Sequence, residues 1–289
     1  MTKPLPQKIA PERVCPLLER SSETLALPYA PAPWVLRQCR ESGFVYLANP
    51  PGYEAFVENL AWEKTSLAES AHRQRAEPVL YAMSTAIKRF RSSVLKRNKI
   101  GVLALAELKS LQASTLNLLD VGCGWGGLLG NLIDTLPSEL QPRAVPHGIE
   151  ISRELARQSH VKMSARAGKC VHADAVSGLG TFPDQYFHLA ILSSFLEHEH
   201  QPLALLRALR DKLVPGGSVI VKVPNYACLN RTARGNRWCG FRWPDHVNYF
   251  TPKTLREAAR LTGLEVSRMR FLDRHPLSDN MYAVLRRPS

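Results

Sequence analysis

The sequence predicts an α/β fold: an open, mainly parallel sheet with helices on both faces, preceded by a mostly helical N-terminal extension. Three observations predict it. An apolar run at 116–119 leads into DVGCGWGG (120–127) and then into an apolar-periodic stretch at 128–136, the pattern of a strand, a glycine turn and a helix. Short apolar strands then alternate with amphipathic stretches as far as residue 262, and such alternation implies parallel strands covered by helices. Two more strand-like segments, at 265–272 and 281–287, close the chain.

The elements follow in order. Residues 1–53 form a proline-rich N-terminal segment without clear period, and Pro28, Pro31 and Pro33 argue against regular structure there. Residues 54–113 form a helical extension or cap, with apolar residues at mixed three and four spacings over 54–69 and 73–96. The main domain occupies 114–289. Its strands are expected at 116–121, 144–149, 168–171, 186–193 and 218–223, and its helices near 127–136, 152–166, 201–212 and 252–262. A long insert, 225–250, interrupts it.

Composition bounds the function. The chain has 289 residues and 45% hydrophobic content, enough for one large domain with an appendage. No apolar run reaches the roughly 18 residues that span a bilayer, and MTKPLPQKIAPERV lacks the apolar core of a secretory signal. A cytoplasmic location is the expected default. Six scattered cysteines with no C-x-x-C pair are expected to be thiols rather than a disulfide framework. The net charge is +13, which favours anionic partners or simply a soluble surface. Six Lys or Arg and no acid fall in 87–99, with Ile87, Phe90 and Val94 on one helical face. Such a helix suits an anionic membrane surface or phosphate groups; equally, it suits packing on the core with a solvated basic face.

Glycines at 122, 124 and 126 let backbone approach a ligand closely, and the following helix start adds unpaired N–H groups. Glu150 ends the next strand in HGIEIS, where an acid can grip ribose hydroxyls. This set suits either NAD or S-adenosylmethionine (SAM), and a tight turn holding no ligand is the plain alternative. The later motifs narrow the choice: HADA with Asp174, the strand YFHLAILS followed by Glu197-His198, LVPGG at 213–217, VPN at 223–225 and HVNYFTPKTL at 246–255.

On these motifs the chain resembles the class I SAM-dependent methyltransferases from about residue 116 to its end, within the branch that includes ubiquinone-biosynthesis O-methyltransferases and related small-molecule enzymes. The resemblance implies a Rossmann-like sheet of seven strands, five parallel plus a C-terminal antiparallel hairpin with one strand beside the fifth. SAM is the implied cofactor. Asp120 and the loop Gly122, Cys123, Gly124 and Gly126 would line its amino-acid part, and Glu150 its ribose. Ile151, Asp174 and Ala175 would meet the adenine, and Ser193 the methionine moiety. Many members of the branch begin with a small zinc ribbon. Here only Cys15 and Cys39 stand at cysteine positions, with Leu18 and Ser42 at the others, so a degenerate ribbon without metal is expected, since structural zinc wants four ligands.

Methyl transfer to oxygen needs a base. His198 is the first candidate and His246 the second. Relatives with an E-x-x-E-H run can hold magnesium there; Ser194 replaces the first Glu, so no metal is expected. The insert 225–250 interleaves Arg231, Arg234, Arg237 and Arg242 with Trp238, Phe241, Trp243 and Tyr249. It reads as a substrate lid for a planar or anionic acceptor, with packing on the N-terminal helices as the plainer alternative. The leading expectation is O-methylation of a small anionic, glycosylated or quinone-like molecule. RNA methylation is the runner-up, although SSFLEH stands where base methyltransferases carry N/D-P-P-[FYW], so nucleic acid is not the expected partner. A non-catalytic scaffold of the same fold is the alternative of another class. An NAD oxidoreductase does not account for HADA, LVPGG and the terminal hairpin.

Overall fold

The computed structural model describes residues 12–52 and 99–289. The expected helices at 54–69 and 73–96, and residues 87–98 of the basic segment, lie outside the described residues.

Three short strands come first: β1 (Thr24–Leu27), β2 (Leu36–Cys39) and β3 (Val45–Leu47). Helix α1 (Lys99–Leu108) leads into β4 (Leu116–Val121), α2 (Gly127–Asp134), β5 (Ala144–Glu150), α3 (Arg153–Ser164) and β6 (Lys169–His172). Next come α4 (Ala175–Gly180), β7 (Phe187–Ser193), α5 (Pro202–Lys212) and β8 (Leu213–Pro224). The insert holds α6 (Leu229–Arg234) and β9 (Asn248–Tyr249); α7 (Pro252–Leu261), β10 (Glu265–Arg268) and β11 (Asn280–Arg286) finish the chain.

The large sheet has seven strands in the order β10-β11-β8-β7-β4-β5-β6. The five strands β4 to β8 pair in parallel, while β11 pairs antiparallel with β8 and with β10. The expected hairpin and its insertion beside the fifth strand are both present. Strand β8 begins five residues earlier than the sequence implied, because LVPGG is already extended: Leu213 sits opposite Phe187, with a register shift before Leu189.

Alternation along buried strands gives two cores, since successive side chains point to opposite faces. Leu119, Val121, Ala190, Leu192, Val219 and Val221 face α5 and α7. Leu116, Leu118, Leu189, Ile191 and Ile220 face α1 and α2. Burial on both faces explains why these strands read as continuous apolar runs. Each fully buried Leu contributes about 2–3 kcal/mol relative to an exposed one. Helix starts are fixed locally. Ser152 caps α3 by accepting from Leu155 N at 3.4 Å, Asp174 caps α4 by accepting from Ser177 N at 2.9 Å, and Thr251 and Thr254 cap α7 reciprocally.

Two expectations are corrected at the N-terminus. Regular structure is present: β1, β2 and β3 form an antiparallel sheet, and the prolines fall in the turn between β1 and β2, where Asn49 bonds Val35 N and Pro33 O. Nor does the segment 1–53 stand apart, because β9 of the insert completes this sheet as β1-β2-β3-β9, with Val45 opposite Tyr249. The insert is therefore not an extended loop. Trp238, Phe241, Tyr226 and Tyr249 pack with Leu36 and Val45 into a third core.

Cys15 and Cys39 are both fully buried. Ser42 Oγ lies 3.4 Å from Cys15 Sγ, and Ser22 Oγ lies 3.2 Å from Cys39 Sγ. Hydroxyls thus meet the two surviving sulfurs, and Leu18 packs against the main core.

Candidate active site

The strand order reverses at β4: β5 and β6 lie to one side, β7 and β8 to the other. Ligands of open α/β sheets bind beyond the carboxyl ends of the strands at such a switch point. A cavity of about 500 Å³ lies here, lined from the ends of β4, β5 and β7.

Most of the expected cofactor residues line it: Asp120, Gly122, Cys123, Gly124, Glu150, Ile151, Asp174, Ala175 and Ser193. Gly122 has φ +70° and Gly124 φ +55°, a region that disfavours any residue with a Cβ. A Cβ on Gly122 would strike the Phe195 ring, whereas the space beside Gly124 is open for 4 Å. Gly126 departs from expectation. It does not line the cavity; it caps α2 with φ +75°, and a Cβ there would press on Ser159 of α3 at 3.0 Å. Its small size serves the contact between α2 and α3.

Glu150 holds the loop in shape. Its Oε2 accepts from Gly124 N at 2.8 Å and its Oε1 from Ser152 N at 2.9 Å. An ionised carboxylate only accepts hydrogen bonds, the chemistry that ligand hydroxyls need. Asp120 is buried, and burial together with the nearby charge of Glu150 pushes its carboxyl up to about 8. Burial also raises Asp174, but hydrogen bonds from Ser177 and nearby backbone outweigh it and hold Asp174 below the usual carboxylate value. Three carboxylates at the ends of β4, β5 and β6 make this side of the cavity acidic. An open glycine backbone beside the acidic groups Asp120, Glu150 and Asp174 fits a ligand with a nucleoside and a positive charge, as SAM has.

The opposite side carries the candidate base. After β7 the chain turns sharply through Ser194, at φ +57°. The loop that follows is stapled from outside: Val247 N and Asn248 N donate to Glu197 O at 2.8 and 3.0 Å. Asn248 Nδ2 donates to Leu196 O at 3.0 Å and Glu199 O at 2.6 Å. Arg13 donates to Val247 O and to Asn248 Oδ1. The N-terminal sheet and the insert thus hold His198 in place.

His198 lines the cavity. Its Nδ1 lies 2.9 Å from Asp245 O and 3.4 Å from Asp245 Oδ1, and Arg242 pairs with Asp245 at 2.9 Å. Burial depresses the His198 imidazolium, but the hydrogen bond and charge of Asp245 outweigh it and raise the ring above its ordinary value. His246 is placed differently. It is buried, does not line the cavity, and meets His198 edge-on with ring centroids 4.7 Å apart. Burial, then the charge of His198, hold it well below the usual imidazole value, so it is neutral. Glu197, His198 and His246 offer ligand atoms within 4.8 Å of one another. Glu197 Oε2 is buried without a hydrogen-bond partner, and burial raises its carboxyl.

The insert contributes less than expected. Arg242 and Asp245 line the cavity, but Trp238, Phe241, Trp243 and Tyr249 do not. These aromatics pack on one another and on the N-terminal sheet. Sequence reasoning missed Asp245, Lys222 and Trp125, all on the cavity wall. An acid directly preceding His246 was the one available signal for Asp245. Lys222 Nζ donates to Ser194 Oγ at 3.0 Å.

Comparison with known proteins agrees with this geometry. Residues 81–268 match the family model described as a methyltransferase domain. A ubiquinone biosynthesis O-methyltransferase of Cereibacter sphaeroides is 31% identical over 163 residues, covering 52% of this chain and 60% of that one. The enzyme of the same name from Ruegeria pomeroyi is 32% identical over 157 residues, with the same coverage. The match thus spans about three-fifths of these relatives' length. Among solved structures, the CurJ carbon methyltransferase superposes with a TM-score of 0.52 at 16% identity, covering 84% of this chain and 73% of that one, a likeness of fold.

Proposed function

The chain belongs to the methyltransferase domain family, and we propose that it binds SAM in the β4–β5 crevice and methylates a small anionic acceptor at oxygen. One observation carries the reading: a single cavity joins an acidic, glycine-floored side to a side holding His198–Asp245, Lys222 and Arg242.

Glu150 accepts the ribose hydroxyls while keeping the Gly124 loop in position. Asp120 meets the ammonium of the methionine part, directly or through water, and ionises as that charge arrives. Ile151 packs on the adenine, and Asp174 and Ala175 meet its edge. The cofactor supplies an electrophilic methyl on a sulfonium; the protein's task is to align the acceptor and take its proton.

His198 is the residue for that proton. Its Nδ1–H donates to Asp245, which fixes the tautomer and leaves Nε2 as the base. Asp245 is a positioning residue: it orients the ring and stabilises the imidazolium formed once the acceptor hydroxyl gives up its proton. Neutral His246 packs against the ring and limits its rotation. Lys222 and Arg242 attract a carboxylate or phosphate on the acceptor. The name O-methyltransferase borne by the relatives supports oxygen as the methylated atom.

The test is a transfer assay with labelled SAM and paired phenols, one of each pair bearing a carboxylate and the other its neutral amide. The reading expects methyl ethers from the carboxylates at a kcat/KM at least about tenfold higher, one charge-assisted contact. Equal rates remove the anionic acceptor, and label appearing on carbon or nitrogen removes the oxygen assignment.

A further inference from the structure

Cys123 is the third residue after Asp120, inside the glycine loop, with its Sγ 3.9 Å from Gly124 O. Its Sγ lies 3.5 Å from the Sγ of Cys170, on β6. The two are 47 positions apart, and β5 runs between them. The missing Cβ of Gly148 makes the contact possible. Gly148 is registered opposite both Asp120 and Cys170; a Cβ there would come within 2.6 Å of Cys123 Sγ and 2.9 Å of Met163 Cε. The thiol of Cys123 uses this space to cross over β5. Cys123 is buried, whereas Cys170 is partly open to solvent.

We propose that Cys123 and Cys170 form a site of reversible thiol oxidation, which links the cofactor loop to the edge strand and weakens SAM binding. The affinity effect rests on the SAM reading above; the cross-link itself does not.

The step needs a low-molecular-weight disulfide as oxidant. The thiolate of Cys170, the accessible partner, attacks one sulfur of that disulfide; an S–S bond to Cys170 forms and one small thiolate leaves. Cys123 then gives up its proton and attacks the Cys170 sulfur. The Cys123–Cys170 bond forms, the second small thiolate leaves, and the released thiols carry the protons. Two protein thiols are oxidised and one small disulfide is reduced.

A disulfide needs about 2.05 Å between sulfurs, so the present contact must close by about 1.5 Å. Strand β6 is held by its ladder with β5. Cys123 stands between two glycines, and its N–H bond to Ile149 O, 3.2 Å against 2.8 Å for Gly122 N, is the loop contact that closure strains first. The next donor along the chain is Gly124 N, whose bond to Glu150 Oε2 shapes the ribose position.

The experiment treats the purified protein with glutathione disulfide, maps disulfides by tryptic mass spectrometry, and measures SAM affinity by calorimetry before treatment, after it, and after dithiothreitol. Expected are a linked pair of peptides holding Cys123 and Cys170, SAM binding weakened about tenfold, as for one lost hydrogen bond to a charged group, and full recovery on reduction. Cys170→Ser should keep its affinity throughout treatment. Saturating SAM should shift the cross-linking equilibrium towards the thiols by the same factor, as linkage requires. Free thiols at both positions after treatment overturn the proposal, as does a mapped cross-link with unchanged SAM affinity. An equal loss of affinity in Cys170→Ser overturns it too, by pointing to another cysteine. A reduced protein that binds no SAM refutes the cofactor reading instead, and the peptide map alone then decides the cross-link.

Discussion

Replacing Glu150 by Gln removes one negative charge and almost no volume. Two backbone donors, Gly124 N and Ser152 N, now converge on the two oxygens of Glu150, at 2.8 and 2.9 Å. A glutamine offers one oxygen and one NH2, so one backbone N–H would face another donor. That lost and opposed bond costs about 1–3 kcal/mol. For a domain of this size the melting temperature then falls by roughly 2–4 °C per kcal/mol. The ribose loses a charged acceptor for two hydroxyls as well. At about 1.4 kcal/mol for each tenfold change, the SAM dissociation constant should rise between about 10- and 100-fold. Calorimetry gives the affinity and a thermal melt gives the stability. Glu139→Gln, at an exposed side chain near Ser138, should change neither. SAM affinity in Glu150→Gln equal to that of the wild type would refute the ribose assignment, whatever the melting temperature does.

His198→Ala should keep SAM affinity but lower turnover by about 10²–10⁴, the usual worth of a positioned base; unchanged turnover removes the base from this position. Asp245→Asn should lower the His198 pKa, because Asp245, ahead of Glu197, raises it against the effect of burial. The acid limb of the kcat profile, which rises with pH as His198 loses its proton, should therefore move to lower pH with a reduced plateau. A profile that only scales down, with no displacement, contradicts the dyad. Gly122→Ala places a methyl at φ +70° and against the Phe195 ring. A loss of about 1–3 kcal/mol of stability is expected from backbone strain and overpacking, together with weaker SAM binding, and an unaltered melt would show that the loop relaxes freely.

The sheet of the main domain was legible because it is local in sequence. Its strands are buried on both faces, so 116–121, 186–193 and 218–223 stand out as apolar runs, and the glycine turn at 122–127 marks where the first helix of the domain begins. The N-terminal sheet was not legible. Strands of three or four residues carry little period, and the fourth, Asn248–Tyr249, arrives from about 200 residues away. That same distance hid the true use of the insert's aromatics, which the sequence could only describe as available for stacking. The residues expected on the cofactor side line the cavity, Gly126 apart, since each follows its own strand. The acceptor side was read less well. His198, Asp245, Lys222 and Arg242 converge through tertiary contacts, and no spacing rule joins a lysine on β8 to an aspartate in the insert. The contact between Cys123 and Cys170 was invisible for the same reason: it depends on the register of three strands.

The most direct test of the central claim is calorimetric titration of SAM into the protein, repeated in buffers of different ionisation enthalpy. Asp120 carries a proton up to about pH 8 in the free protein, and the unfolded chain holds that proton only up to about pH 3.9. Across that window the folded state binds the extra proton, so the stability of the free protein falls as pH rises. A cationic ligand beside Asp120 lowers its pKa and reverses the penalty. The account predicts one-to-one binding at pH 7 with release of a proton, and no heat with NAD. No heat with SAM or S-adenosylhomocysteine, or binding with proton uptake, would contradict it.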